Sequence, residues 1–289
     1  TPLATTIGSL IFGAGIILAG GCATGTYYRA GEGLIGSWLA LITYAVSAAM
    51  MKKGVLRPVN DGLQNANNTG LTTLYGALDV TPWLFVFALT GGVSWLTWRH
   101  LRAERNLKVA SLPPLRTGLA HLLFEKPWHP FVSAILIGVI ATLAYPLSYS
   151  TGRESGLGIT TPSANLAHGL IAGDLSELTN WGTLLVVGII IGSYIAAKAS
   201  GEFRLRVPDT GTLVKALLGG LAMGIGASLA GGCTIGGSLV GSAELSLNGF
   251  LSFAGFFAGV GVAAKLFLRP RQKTLASDVS SPATASTTI

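Results

Sequence analysis

Long apolar runs separated by short polar and often basic stretches make up most of this chain. They are "IGSLIFGAGIILAGG" from Ile7, "LIGSWLALITYAVSAAMM" from Leu34, "PWLFVFALTGGVSWLTW" from Pro82, "FVSAILIGVIATLAYPL" from Phe131 and "WGTLLVVGIIIGSYIAAK" from Trp181. Two more are "TLVKALLGGLAMGIGASLAGG" from Thr212 and "GFLSFAGFFAGVGVAAKLFL" from Gly249. Crossing the hydrocarbon core of a bilayer takes roughly 20 mostly apolar residues. The pattern therefore predicts an all-α polytopic membrane protein. Two runs end abruptly and in nearly the same words, "LAGGCATGTYYRAGEG" from Leu18 and "LAGGCTIGGSLVGSAEL" from Leu229. Each stops at a cysteine set among glycines and resumes a few residues on. Cys22 and Cys233 are the only cysteines in the chain.

Composition agrees with the pattern. Hydrophobic residues make up 50% and charged residues 11%, and mean hydropathy is +0.59, above that of soluble domains. The net charge of +7 is gathered just outside the apolar runs. Its clusters are "RHLRAERNLK" from Arg99 (followed by Arg116 and Lys126), "GEFRLRVPDTGTLVK" from Gly201 and "RPRQK" from Arg269. Their flanking positions and the lack of a binding motif argue for topology and against nucleic acid. The positive-inside rule places 99–130, 198–215 and the C-terminus in the cytoplasm. "KKGVLR" from Lys52 falls outside by strict alternation, unless the 58–81 loop dips in and returns. The chain starts at Thr1, already in an apolar run and with no signal-peptide pattern, which predicts a natural N-terminus further upstream. The Ser/Thr/Ala-rich tail 269–289 reads as disordered.

The repeated motif divides the chain. Glu32 and Glu244 follow the two cysteines, and a further apolar run begins after each. A long internal repeat in a membrane protein predicts two pseudo-symmetric halves with the transport site between them. The halves are 1–98 and 131–268, with 99–130 as a basic joint. "GRESGLGITTPSANLAHGLIAG" from Gly152 is too short and polar for a full span and predicts a pair of half-helices, with Thr161 capping ahead of Pro162. The first half has no upstream counterpart to this segment.

Interrupted helices at membrane depth are tolerated only where they are buried in protein or line a cavity. Gly20, Gly21 and Gly25, like Gly231, Gly232 and Gly236, permit sharp turns there. Second helices resuming from about Thr26 and Ser238 would aim free N–H groups and positive dipole ends at the break. Each cysteine then borders an anion-friendly pocket; the competing reading makes both small packing residues. Zinc would need three or four ligands, and no ligand set surrounds either cysteine. A redox CxxC is absent, and a Cys22–Cys233 disulfide would cross-link the path. No motif calls for a cofactor. A thiol is a weak donor with a soft sulfur, suited to an anion carrying charge on sulfur and poorly matched to sulfate.

The remaining polar candidates have two roles open. Thr24, Thr234, Thr160 and Thr161 either bond the solute or cap helices. Arg29 either draws anions into a vestibule or pairs with Glu32 at i,i+3. Glu32 and Glu244 are read as structural carboxylates, because one facing the path would repel an anion. Tyr27 and Tyr28 are read as packing or interfacial aromatics.

At "AGGCATGTYYRAGEGLIGSW", "AGGCTIGGSLVGSAELSLNG" and "GLGITTPSANL" the chain closely resembles the YeeE/YedE sulfur-transport proteins, bacterial inner-membrane thiosulfate permeases. The resemblance runs from about Gly13 to Lys265. It implies an hourglass of transmembrane and paired short helices, with cysteines lining a constriction that thiosulfate passes by S–H···S contacts. Cys22 and Cys233 would be two of those cysteines; the family usually has a further one in an N-terminal half-repeat. The resemblance also implies a small cytoplasmic sulfur-carrier protein as partner, alongside the thiosulfate ion and the lipid bilayer. Rival readings are a permease for persulfide, sulfite or selenium compounds, a membrane sulfurtransferase with a persulfide-forming cysteine, and a structural subunit of an assembly.

Overall fold

The structure is a computed structural model that describes residues 2–66, 73–78, 81–104, 128, 130–153 and 155–267. Its elements are α-helical. The apolar runs give α1 (Pro2–Ala19), α3 (Ile35–Lys52), α6 (Pro82–Glu104), α7 (Pro130–Ser150), α10 (Trp181–Ser200), α11 (Thr210–Leu229) and α12 (Leu247–Phe267). Shorter helices fill the intervals: α2 (Ala23–Gly31), α4 (Arg57–Asn65), α5 (Leu74–Leu78), α8 (Thr160–Ala172) and α9 (Leu175–Leu178). A π-helical segment, Thr234–Val240, follows α11 and passes into Gly241–Ala243.

Among the described residues, six helical stretches are long and apolar enough to cross a membrane: Pro2–Gly31, Ile35–Lys52, Pro130–Ser150, Trp181–Ser200, Thr210–Ala243 and Leu247–Phe267. The run from Pro82 forms a 23-residue helix but is not among them. Pro82 and the polar end Arg99, His100, Arg102 and Glu104 lower its mean hydropathy, while Trp83 and the Trp95–Trp98 pair sit towards its two ends. On α7, Ile135, Ile137, Ile140 and Leu143 are exposed, as are Leu184, Ile191 and Ile195 on α10. Apolar surface at that density suits lipid and would be a liability in water. The chain is an all-α polytopic membrane protein.

The centre of the bundle is α1, which packs on α11 and α12, and α11, which also packs on α3. Glycines set the α1–α11 seam. A Cβ added at Gly8 would come within 2.5 Å of Ala230 N, and one at Gly226 within 2.5 Å of Phe12 N. Backbones that close gain packing energy that lipid tails cannot match. Around the seam lie Phe12, Tyr27, Tyr44, Met223, Cys233 and Phe256, all buried, with the Phe12 and Phe256 rings 4.9 Å apart.

Asp209 caps α11 by accepting from the Thr212 amide at 3.2 Å, and the Thr212 hydroxyl and amide hold its carboxyl below the usual range. Asn180 caps α10 from the Thr183 amide at 2.9 Å. α3 starts beside Arg206, whose carbonyl accepts from Ile35 N at 3.1 Å, and runs to Lys52 at the other end. α4 then packs back on α1, α3 and α11, where Gln64 Nε2 donates to Ser228 O at 3.0 Å. "KKGVLR" therefore lies at the end of the bundle opposite Arg206. Most of the 99–130 joint and the 269–289 tail lie outside the described residues.

Candidate functional site

The two cysteine turns share one backbone. Gly20 and Gly231 are left-handed, at φ +76° and +81°, a conformation a Cβ disfavours. Two residues later Cys22 and Cys233 are extended, each directly before a helix. The Cys22 carbonyl accepts from Thr26 N at 2.8 Å and that of Cys233 from Gly237 N at 2.7 Å. The sequence placed the second helices from about Thr26 and Ser238; they begin at Ala23 and Thr234, so each cysteine is itself the cap. The preceding helices, α1 and α11, are 18 and 20 residues long, so full-length helices lead into the turns and short ones leave them.

The turns meet. The Cys22 thiol contacts the hydroxyl of Thr234, the residue after Cys233. The amides of Ala23 and Thr24 lie beside the Cys22 sulfur. Cys233 is fully buried, Cys22 is half-buried, and both thiols are free. Thr24 Oγ1 and Ser238 Oγ, one in each short helix, are buried without a hydrogen-bond partner among the described residues. Unspent polar capacity in a buried place is costly unless something polar visits.

α8 supplies the third wall. Tyr44 Oη donates to Thr160 Oγ1 at 2.9 Å, and Tyr27 Oη lies 2.7 Å from Ser163 Oγ. The Ser163 hydroxyl already donates to Ile159 O at 2.6 Å, so Tyr27 is the donor. Thr161 is not the cap read from the sequence. Ile159 holds the cap position, Thr160 opens the helix, and Thr161 Oγ1 accepts from Lys52 Nζ at 2.8 Å. Nor is the segment a half-helix pair: α8 is one 13-residue helix, followed by a turn and the four-residue α9.

A cavity of about 260 Å³ reaches Cys233, lined among others by Arg153, Gly158, Thr160, Thr161, Gly231, Gly232, Gly236 and Glu244. Cys22, Thr24 and Gly25 are not in that lining. Arg29 does not pair with Glu32; its guanidinium turns back and donates to Gly20 O, clasping the first turn. Glu32 lies with Arg204 and Arg206 around a separate cavity of about 420 Å³. Glu244 accepts from Tyr145 Oη at 2.9 Å. Tyr27 is wholly buried and hydrogen-bonded, Tyr28 exposed. Sequence reasoning missed Tyr44, Ser163, Lys52 and Arg153. Lys52 and Arg153 carried a signal, being cations at the edges of apolar or glycine-rich stretches. Half-burial lowers the Arg153 proton affinity, though a guanidinium stays charged. Among the described residues, no group of His, Cys, Asp and Glu could hold a metal ion.

Comparison with known proteins bears on this geometry. The family model described as sulphur transport matches residues 1–262. The chain is 51% identical over 272 residues to a thiosulfate transporter, TsuA, of Escherichia coli (strain K12), covering 94% of this chain and 76% of that protein. It is 32% identical over 267 residues to a thiosulfate transporter, TsuA, of Spirochaeta thermophila, covering 88% of this chain and 74% of that protein.

Proposed function

The chain belongs to the sulphur-transport family, and on that premise we propose that it carries thiosulfate across the bacterial inner membrane into the cytoplasm. The observation that carries the reading is the meeting of the two cysteine turns through Cys22 and Thr234. The ion passes a constriction formed where the halves 1–98 and 131–268 meet. Gly20, Gly21, Thr24 and Gly25 line it from one half, and Gly231, Gly232, Thr234 and Gly236 from the other. Thr160 and Thr161 stand at its approach. The Cys22 and Cys233 thiols make weak S–H···S contacts with the terminal sulfur, strong enough to offset part of its dehydration and weak enough to let it leave. The Arg204–Arg206 end and the joint 99–130 face the cytoplasm, where a small sulfur-carrier protein receives the product. Transport needs no bond broken in the ion, so the cysteines are contacts and not nucleophiles.

Labelled thiosulfate uptake into proteoliposomes tests this. Unlabelled thiosulfate should compete fully; sulfate, sulfite and selenite should compete weakly. Cys22→Ser and Cys233→Ser should lower uptake nearly as much as Ala does, by about tenfold, the effect of a contact of 1–2 kcal/mol made at the barrier. Uptake surviving both replacements at equal protein level would return the cysteines to packing. Release of sulfite from thiosulfate by the purified protein would favour a sulfurtransferase.

A further inference from the structure

Two cations from distant parts of the chain converge on the cavity that ends at Cys233. Arg153 lines it, and Lys52 donates to the hydroxyl of Thr161, which lines it too. Nη1 of Arg153 is buried and has no hydrogen-bond partner among the described residues. The Arg153 guanidinium lies 5.8 Å from the Trp181 ring centroid. It also borders a neighbouring cavity of about 260 Å³ lined by Asn165, Asn180 and Trp181, so it stands between two chambers. A buried guanidinium N–H with no acceptor among the described residues has lost water without gaining one of them in its place. An anion would supply one in a charge-assisted bond.

The donors around this cavity are also graded. Lys52 and Arg153 are hard, strongly hydrogen-bonding groups. Thr160 accepts from Tyr44, which leaves its own proton free to be donated. Cys233, fully buried, is the one soft group in the lining. Glu244 shares the lining, its carboxylate engaged by Tyr145, and disfavours an anion on its own side.

We propose that Arg153 and Lys52 form a receiving station that holds the oxygen end of the substrate anion and turns its terminal sulfur toward Cys233. The proposal rests on the thiosulfate reading above. Thiosulfate is two-ended, with three hard oxygens on one sulfur and a soft, exposed sulfur at the other end. Hard donors placed with a soft thiol in one cavity bind such an ion in one orientation. Sulfate has only the hard end, so it occupies the station without gaining the sulfur contact.

The test compares thiosulfate uptake, and its inhibition by sulfate, in proteoliposomes of wild type, Arg153→Gln, Arg153→Lys, Lys52→Gln and Cys233→Ala. Arg153→Gln and Lys52→Gln should each raise KM for thiosulfate about tenfold with maximal rate within about twofold, and weaken sulfate inhibition in parallel. Arg153→Lys should recover most of the KM. Cys233→Ala should lower thiosulfate uptake and leave sulfate inhibition unchanged. Unchanged KM in both Gln variants, or a lost maximal rate with KM intact, overturns the station. If Arg153→Gln fails to reach the membrane, Arg153→Lys and Lys52→Gln decide alone. Absence of thiosulfate uptake by wild type would instead sink the transport reading itself.

Discussion

At Cys22 the chain turns through left-handed Gly20 and enters a regular helix, while at Cys233 it turns through left-handed Gly231 and enters a π-helical segment. Both cysteines are extended, and the carbonyl of each accepts from the amide four residues on. Their surroundings do not. The first turn is half-buried and clasped by the flexible Arg29 side chain. The second is packed against its own helix, its thiol fully buried at the floor of a cavity. π-Helical turns often occur at functional sites, and this one carries the buried Ser238 hydroxyl, which has no partner among the described residues. A repeated backbone thus fixes where the thiols sit, and the neighbours decide what reaches each.

Substitutions that separate the turns test this contrast most strongly. A Cβ at Gly232 would lie 2.5 Å from Gly237 N, against backbone that cannot yield, whereas one at Gly21 would meet only the Arg29 guanidinium at 3.1 Å. Gly232→Ala should cost about 1–3 kcal/mol and most of the uptake, with Gly21→Ala nearly neutral. Thermal unfolding in detergent and uptake at equal protein level check both. Equal losses would mean that the turns are packed alike.

Left-handed Gly20 and Gly231 should behave as twins. A Cβ at either has no close neighbour, so only the backbone penalty remains. Both Ala variants should lose a similar 1–2 kcal/mol, roughly the cost of a left-handed conformation for an L-residue. A loss at one position alone would break the shared frame.

The smallest contrast is one of rate. An alkylating thiol reagent should label Cys22 at least about fivefold faster than Cys233 in the folded protein, following exposure. Peptide mapping after a short pulse measures this, and faster labelling of Cys233 would mean that its cavity is open to solvent.

Much of this was legible in the sequence because it is local. The apolar runs had to be helices, and a glycine pair before each cysteine had to be a turn. Errors arose where folding brought distant groups closer than neighbouring ones. Arg29 and Glu32 are one helical turn apart, yet Arg29 finds the Gly20 carbonyl, exposed by the reversal at the turn. Thr161 before Pro162 looks like a cap, but α8 starts one residue earlier and leaves Thr161 to Lys52, 109 residues away. Lys52 drew no site role from the sequence, since only the packing of α3 against α8 brings it to Thr161, which lines the cavity that Arg153 also lines. The run from Pro82 has the length of a span, and its polar end from Arg99 keeps its mean hydropathy below that of the six spans.

The α1–α11 seam has a mechanical consequence. Cys22 hangs from the end of α1 and Cys233 from the end of α11, and those helices touch backbone to backbone at Gly8, Gly226 and Phe12. Sliding one helix along the other by a single residue would drive side chains such as Phe12 and Met223 into places only a hydrogen atom now fills. The seam therefore acts as a ruler that fixes the distance between the thiols. Any opening of the proposed path would then have to come from side chains or from helices outside this pair, and α8, joined to the centre through Tyr27 and Tyr44, is the element whose displacement would leave the ruler intact.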